Sequence, residues 1–355
     1  MFFSIFSLPF ADGISLNNYF FSLVICAFST FVANILSKTT LQKPIFLENK
    51  VKVLFKIIVF MSISLILAYV LTKYYGFEGL VSRGSVRDGV INFNYSKSAF
   101  FMTQLDYFLI ALSSVFLQKW LKTSKNLLLF FSTVISIYLL VRTGTRWYWL
   151  LSVSPMLVYV LLNLKFMSKI IVTLIFGFCL VWLGGNRNDV EVQSVQDTLT
   201  WDLPSYQSEK IVKNLDSDIS GFLDFYNGQI IVLIPRFIWP SKPLDVKTTA
   251  YMEDEIGEAF GLGGTILPGF IGSAWLYGGF FGIIFFGAIY FNLLRATERL
   301  ILKNINGEKM IYLGSLYIGL ILQLRGISIF YLIPAFYAYL IYKFTNIISR
   351  LKQNY

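Results

Sequence analysis

Long apolar runs recur from one end of this chain to the other, and no other feature limits its fold so tightly. They fall near 15–36, 51–72, 100–118, 126–142, 147–162, 168–185, 265–292, 309–324 and 327–344. Each approaches the length, about 17–25 residues, that carries a helix across about 30 Å of hydrocarbon. In lipid every backbone polar group must be paired internally, so continuous runs of this kind read as helices. Of 355 residues, 56% are hydrophobic and only 14% are charged, too few to clothe a soluble domain of this size. The expected fold is an all-α polytopic membrane protein with about nine transmembrane helices, in a range of nine to eleven.

The connections sort by charge. Those at 37–50, 119–125, 163–167 and 293–308, with the C-terminal tail, hold Lys38, Lys43, Lys50, Lys119, Lys122, Lys125, Lys165, Arg295, Arg299, Lys303, Arg350 and Lys352. The positive-inside rule makes this the cytoplasmic side. The connections at 73–99, 143–146, 186–264 and 325–326 then face outward, with the N-terminus outside and the C-terminus inside. A multi-pass protein of a bacterial cytoplasmic (inner) membrane is expected. The net charge of +10 is explained by this topology, and no nucleic-acid partner is implied. The expected organisation is one integral membrane domain: N-terminal helices over 1–185, an extracytoplasmic loop over 186–264 and C-terminal helices over 265–355.

The chain has no histidine, and its two cysteines, Cys26 and Cys179, both sit in apolar runs. Neither a metal site, a disulfide nor thiol chemistry is suggested, and no cofactor is expected.

Arginine is distributed differently from lysine. Arg83, Arg87, Arg142, Arg146, Arg187, Arg236 and Arg325 all fall in the outer connections or at the outer ends of spans. Topology does not call for them there. A guanidinium presents a planar fork of donors to phosphate or carboxylate. A group of them near the outer headgroups suits an anion attached to something apolar, although any single one reads equally as a cation snorkelling to lipid phosphate.

In RGSVRD (83–88), Arg83 and Arg87 stand one helical turn apart, and Asp88 either orients Arg87 or balances its charge. In RTGTR (142–146), Arg142 ends one span and Arg146 begins the next, with Gly144 allowing the tight turn. Two guanidinium groups there cost desolvation unless water or an anion meets them. Arg187 follows the Gly-Gly that closes a span, and Arg325-Gly326 joins the last two. Asp106, near the outer end of the third span, is a functional or pairing carboxylate.

The stretch 186–264 is too long for a simple connection. Its apolar patch at 221–234, which includes Asp224, Tyr226 and Gln229, reads as a short helix lying on or dipping into the outer membrane face. IVLIPRFIWPSKP (231–243) follows. Pro235 and Pro240 stop the helix and stiffen the chain, holding Arg236 near bilayer depth with Trp239 as an interfacial anchor and Lys242 as a second cation. Glu253, Asp254, Glu255 and Glu258 then precede a glycine-rich stretch. These acids suit a sugar site, and equally a solvated loop. The GLGG at 261–264 lacks the lysine and hydroxyl of a phosphate loop.

With RTGTR (142–146), the long outer loop, IPRFIWPSKP (234–243) and FGLGGTILPGFIGSAWLYGGFFG (260–282), the chain resembles the Wzy family of O-antigen and capsular oligosaccharide repeat-unit polymerases over about 50–345. The resemblance implies a fold of the glycosyltransferase C type. It implies a metal-independent glycosyltransferase that joins undecaprenyl-pyrophosphate-linked units on the outer side of the membrane. Donor and acceptor are then lipid-linked glycans, with membrane lipids, a chain-length regulator and a flippase as further expected partners. Arg142, Arg146 and Arg236 are expected to hold pyrophosphate, with Glu258 and Asp88 among the choices for a base. Arg83, Arg87, Arg187, Arg325, Tyr226, Trp239, Lys242, Glu253 and Glu255 are expected to bind substrate.

An O-antigen ligase would share this architecture but typically uses a loop histidine. A lipid-linked oligosaccharide transporter would place charges deeper along its spans and show paired inverted repeats. A structural subunit would leave the outer arginines without a task.

Overall fold

The computed structural model of the chain describes residues 59–60, 97–123, 125–143, 146–163, 208, 211–212, 219–235, 237–241, 269–304 and 308–353. Helices dominate: α1 (Lys97–Thr123), α2 (Asn126–Thr143), α3 (Arg146–Ser152), α4 (Ser154–Asn163), α5 (Gly221–Phe225), α6 (Gly269–Leu276), α7 (Gly279–Asn304), α8 (Met310–Leu322) and α9 (Ile333–Gln353). The rest of the described backbone is short helical pieces, including π and 3₁₀ turns, bends and one isolated bridge between Gly269 and Gly326. The expected runs at 15–36 and 168–185, and all but two residues of 51–72, lie outside the described residues.

Two helical segments are long and apolar enough to cross a membrane, Phe100–Leu121 and Gly279–Asn304. Asn126–Leu139 and Met310–Arg325 are apolar but shorter. Side-chain exposure fits a lipid solvent. Phe101, Leu105, Phe130, Val134, Phe281, Ile284, Phe336 and Phe344 all point outward, while Ser113, Ser114, Ser132, Ser136, Ser152, Ser154 and Ser315 are buried. Helices in lipid gain little from hiding apolar surface from one another, and small hydroxyl-bearing residues let their backbones approach. The structure therefore supports an almost entirely helical, membrane-associated protein.

The described residues fall into two compact units. One holds those between Asp189 and Ala296 and those of Leu320–Ile329; the other holds those between Leu41 and Asn188, of Thr297–Gly319 and from Phe330 onward.

In the second unit, serines bind the helices together. Ser113 Oγ of α1 lies 2.9 Å from Ser136 Oγ of α2, and Ser132 Oγ donates to the Ser113 carbonyl at 3.3 Å. Ser114 donates to the Leu151 carbonyl at 2.9 Å, and Ser154 meets Ser315 of α8 at 3.2 Å. Beside them, Phe60, Leu117, Trp120, Leu129, Trp149 and Met156 form an apolar core. The expected span at 147–162 is divided between α3 and α4 at Val153, just before Pro155, which has no N–H for the helical ladder.

In the first unit, the run expected as one span at 265–292 is two helices. The chain turns through Gly278 (φ 153°) and Gly279 (φ 58°). Phe270 of α6 then meets Tyr290 of α7 with ring centroids 4.9 Å apart. A side chain at Gly282 would strike the Ala274 carbonyl. α6 thus runs antiparallel to α7 as a half-length hairpin arm. α7 continues past the expected end at 292 as far as Asn304.

Candidate functional site: a clamped turn and an arginine-flanked turn

The loop patch expected to be helical at 221–234 does wind, as α5, a π-helical turn over Tyr226–Ile230 and a 3₁₀ turn over Ile231–Leu233. It docks on the α6–α7 hairpin. Gly221 presses against the Leu276 carbonyl, where a β-carbon would not fit. Phe222 stacks on Phe286 at 5.7 Å, and Phe225 meets Tyr277 at 5.3 Å and Phe286 at 4.7 Å. The wider turn then aims Gln229 at the connection between α8 and α9.

That connection carries Arg325 and Gly326, and each N–H from Gly326 to Ile329 has a protein acceptor. Gly326 N–H donates to the Gln323 carbonyl at 3.0 Å. Ile327 N–H donates to Ser273 Oγ at 3.1 Å, Ser328 N–H to Gln323 Oε1 at 2.7 Å and Ile329 N–H to Gln229 Oε1 at 3.0 Å. Gln229 Nε2 in turn donates to Tyr277 Oη at 3.0 Å. Since a backbone N–H can only donate, the Ile329 bond fixes which end of the Gln229 amide is oxygen. Gly326, at φ 152°, takes a conformation that disfavours side chains, and it bridges to Gly269 at the start of α6. Loop helix, hairpin arm and turn are thus fastened around the backbone that bears Arg325, whose side chain is partly buried.

The second unit holds the RTGTR turn. Arg142 lies in the last turn of α2 and Arg146 opens α3. Around the same end gather Tyr107 of α1, Trp147 and Tyr148 of α3, and Phe330 and Tyr331 of the α8–α9 connection. Trp147 meets Tyr331 at 5.0 Å, Tyr107 meets Tyr148 at 5.8 Å and Phe330 stacks on Tyr107 at 6.4 Å. Asp106 is buried beside them at 3% exposure, a carboxylate inside the helix bundle.

Of the other residues expected at the site, Tyr226 stands half-exposed on the loop helix. Trp239 is exposed and closes a turn by donating its N–H to the Pro235 carbonyl at 3.0 Å. Ile234, just before Pro235, is extended as a residue preceding proline should be. Asp88, Arg83, Arg87, Arg187, Arg236, Lys242, Glu253, Glu255 and Glu258 lie outside the described residues. Among the described residues no three histidine, cysteine, aspartate or glutamate side chains gather where they could hold a metal ion. Ser273, Tyr277 and Gln323, which complete the clamp, were not anticipated. Their only signal is a polar atom inside an apolar run, beside glycine for Ser273 and Tyr277 but not for Gln323. Set against known proteins, the chain matches no family model, no curated protein and no solved structure.

Proposed function

We propose that this protein is a glycosyltransferase of the inner membrane that polymerises undecaprenyl-pyrophosphate-linked oligosaccharide repeat units on the outer side. The observation that carries the reading is the double hydrogen bond of Gln229 to Tyr277 and to Ile329. It makes the outer loop a built part of the region around Arg325, which suits an enzyme that must hold a large substrate still.

In this reading the acceptor hydroxyl oxygen bonds to the anomeric carbon of the growing glycan. The bond from that carbon to the diphosphate breaks, and the hydroxyl proton passes to a carboxylate, with Glu258 and Asp88 as candidates. Charge builds on the departing diphosphate, and donors placed in advance stabilise it as it develops. Arg142, Arg146 and Arg236 are assigned that role, supplying electrostatics without a metal. Arg325, Arg83, Arg87 and Arg187 bind the lipid-linked substrates, and Tyr226, Trp239, Lys242, Glu253 and Glu255 face their sugars and headgroups. An inverting displacement is the simpler scheme, because no nucleophile for a covalent intermediate stands out.

The test is single replacement of Arg142, Arg146 and Arg236 by alanine. Each variant is expected to stop chain lengthening while remaining in the membrane at parental amounts. Full-length product from any one of them removes that residue from the site, and full-length product from all three removes the mechanism.

A further inference from the structure

α7 is long and apolar enough to span, and from the hairpin tip at Gly278 and Gly279 it carries no charge until Arg295. That charge-free part measures about 24 Å at about 1.5 Å per residue, short of the about 30 Å of hydrocarbon to be crossed. As a span, α7 must therefore sink all of it, up to the tip, into lipid. Phe280, Phe281, Ile284 and Phe285, beside the tip, are exposed as lipid contact requires. The loop segment 219–239 packs on this same part. A side chain at Gly278 would strike the Phe222 ring. Phe222 also meets Phe285 at 5.3 Å and Phe286 at 5.7 Å. Those two phenylalanines lie about 10 Å along α7 from the tip. A patch resting on the membrane surface would have no reason to reach them.

The side of the segment turned away from α7 is apolar too. Ile219, Leu223, Ile230, Ile234 and Ile238 are all exposed. Among the described residues of 219–239, Ser220 is the one exposed side chain that is neither aliphatic nor aromatic. Asp224, Asn227 and Gln229 are only partly exposed. A loop in water would show the reverse, and a helical segment apolar all round belongs in hydrocarbon or in a protein interior. The backbone suits hydrocarbon, where its polar groups must be paired within the protein. Where the winding changes, Ile234 N–H donates to the Ile231 carbonyl at 2.9 Å, Ile238 N–H to the Pro235 carbonyl at 2.9 Å and Trp239 N–H to the same carbonyl at 3.0 Å. Pro235 itself has no N–H to satisfy. Tyr226 and Trp239, also exposed, each carry one polar atom, as aromatic residues at a bilayer edge do.

We propose that Ile219, Leu223, Ile230, Ile234 and Ile238 form a docking face for bilayer acyl chains, in the leaflet that holds the tip of α7. The face continues the exposed apolar side of α7 onto the loop segment. Gln229 belongs to the same segment, so lipid held on one side supports the clamp that Gln229 makes on the other. The inference rests on α7 as a span and on no step of the chemistry above.

The experiment uses the full chain in phosphatidylcholine–phosphatidylglycerol vesicles, with Cys26 and Cys179 changed to alanine and one nitroxide-labelled cysteine at Leu223→Cys. Should that variant fail to fold, Ile230→Cys takes its place. Ile284→Cys, on the exposed side of α7, is the hydrocarbon reference, and Lys303→Cys, beyond the apolar part of α7, is the water reference. Dissolved oxygen, which concentrates in hydrocarbon, should relax the label at 223 as strongly as the label at 284. A water-soluble nickel chelate should relax it at most about a third as strongly as the label at 303. Chelate access equal to that at 303 makes the segment a solvated loop and overturns the face. Protection from both reagents means that protein, a second copy included, covers it, which overturns the lipid. Full chelate access at 284 removes the span and the proposal with it. None of these readings needs turnover, so a protein that builds no glycan chain leaves the face standing.

Discussion

Removing the amide of Gln229 should loosen the turn between α8 and α9 by a measurable amount. Gln229→Leu keeps the side chain's bulk but loses the donor to Tyr277 Oη at 3.0 Å and the acceptor for Ile329 N–H at 3.0 Å. Side-chain hydrogen bonds in membrane proteins average about 0.6 kcal/mol and reach about 1.7. Two of them give a loss of about 1–3 kcal/mol, the upper end reached if Ile329 N–H finds no substitute acceptor. The assay is reversible unfolding in mixed micelles with graded denaturing detergent, run as a double-mutant cycle with Tyr277→Phe. That partner removes only the phenolic oxygen, so the Gln229–Tyr277 bond should appear as a coupling of about 0.6–1.7 kcal/mol. A Gln229→Leu protein as stable as the parent, with coupling indistinguishable from zero, would show that the clamp does not hold the turn.

Other consequences follow from the packing and from the charges. Ser113→Leu forces bulk into the buried contact with Ser132 and Ser136, and should cost about 1–3 kcal/mol in the same unfolding assay. Gly282→Ala places a methyl group against the Ala274 carbonyl and should destabilise by about 1–3 kcal/mol, whereas Ala288→Gly, partly exposed on the same helix, should cost about 1 kcal/mol or less. Arg142→Lys and Arg146→Lys should restore little of the chain lengthening lost in the alanine variants, because an ammonium is a point charge and not a bidentate fork. Ladders of parental length from either lysine variant would count against diphosphate recognition there.

Much of the helix pattern was readable where apolar runs end in charge. The runs at 100–118, 126–142 and 309–324 correspond to α1, α2 and α8, each bounded near a lysine or arginine. The run at 265–292 misled because both arms of the α6–α7 hairpin are apolar, so hydropathy passes smoothly over the turn at Gly278 and Gly279. The far end of α7 was hidden for the opposite reason. Arg295, Glu298 and Arg299 look like loop residues, yet at helical spacing they extend the helix beyond the apolar zone. The last helix starts at Ile333 and not near 327, because the intervening backbone is held by side chains from elsewhere in the chain.

For the site, the RTGTR arginines and the outward bias of arginine stood out in the sequence because charge is rare here. The clamp did not. Gln229, Ser273 and Gln323 are single polar residues in apolar surroundings, and only the fold reveals that Gln229 and Ser273 serve the turn between α8 and α9.

The most direct measurement is incubation of the purified, vesicle-reconstituted protein with an undecaprenyl-pyrophosphate-linked repeat unit, with products resolved by size. The account predicts a ladder of chains differing by one repeat, with undecaprenyl pyrophosphate released at each addition. Single transfer to a different acceptor, or movement of the substrate across the bilayer with no new glycosidic bond, would contradict it.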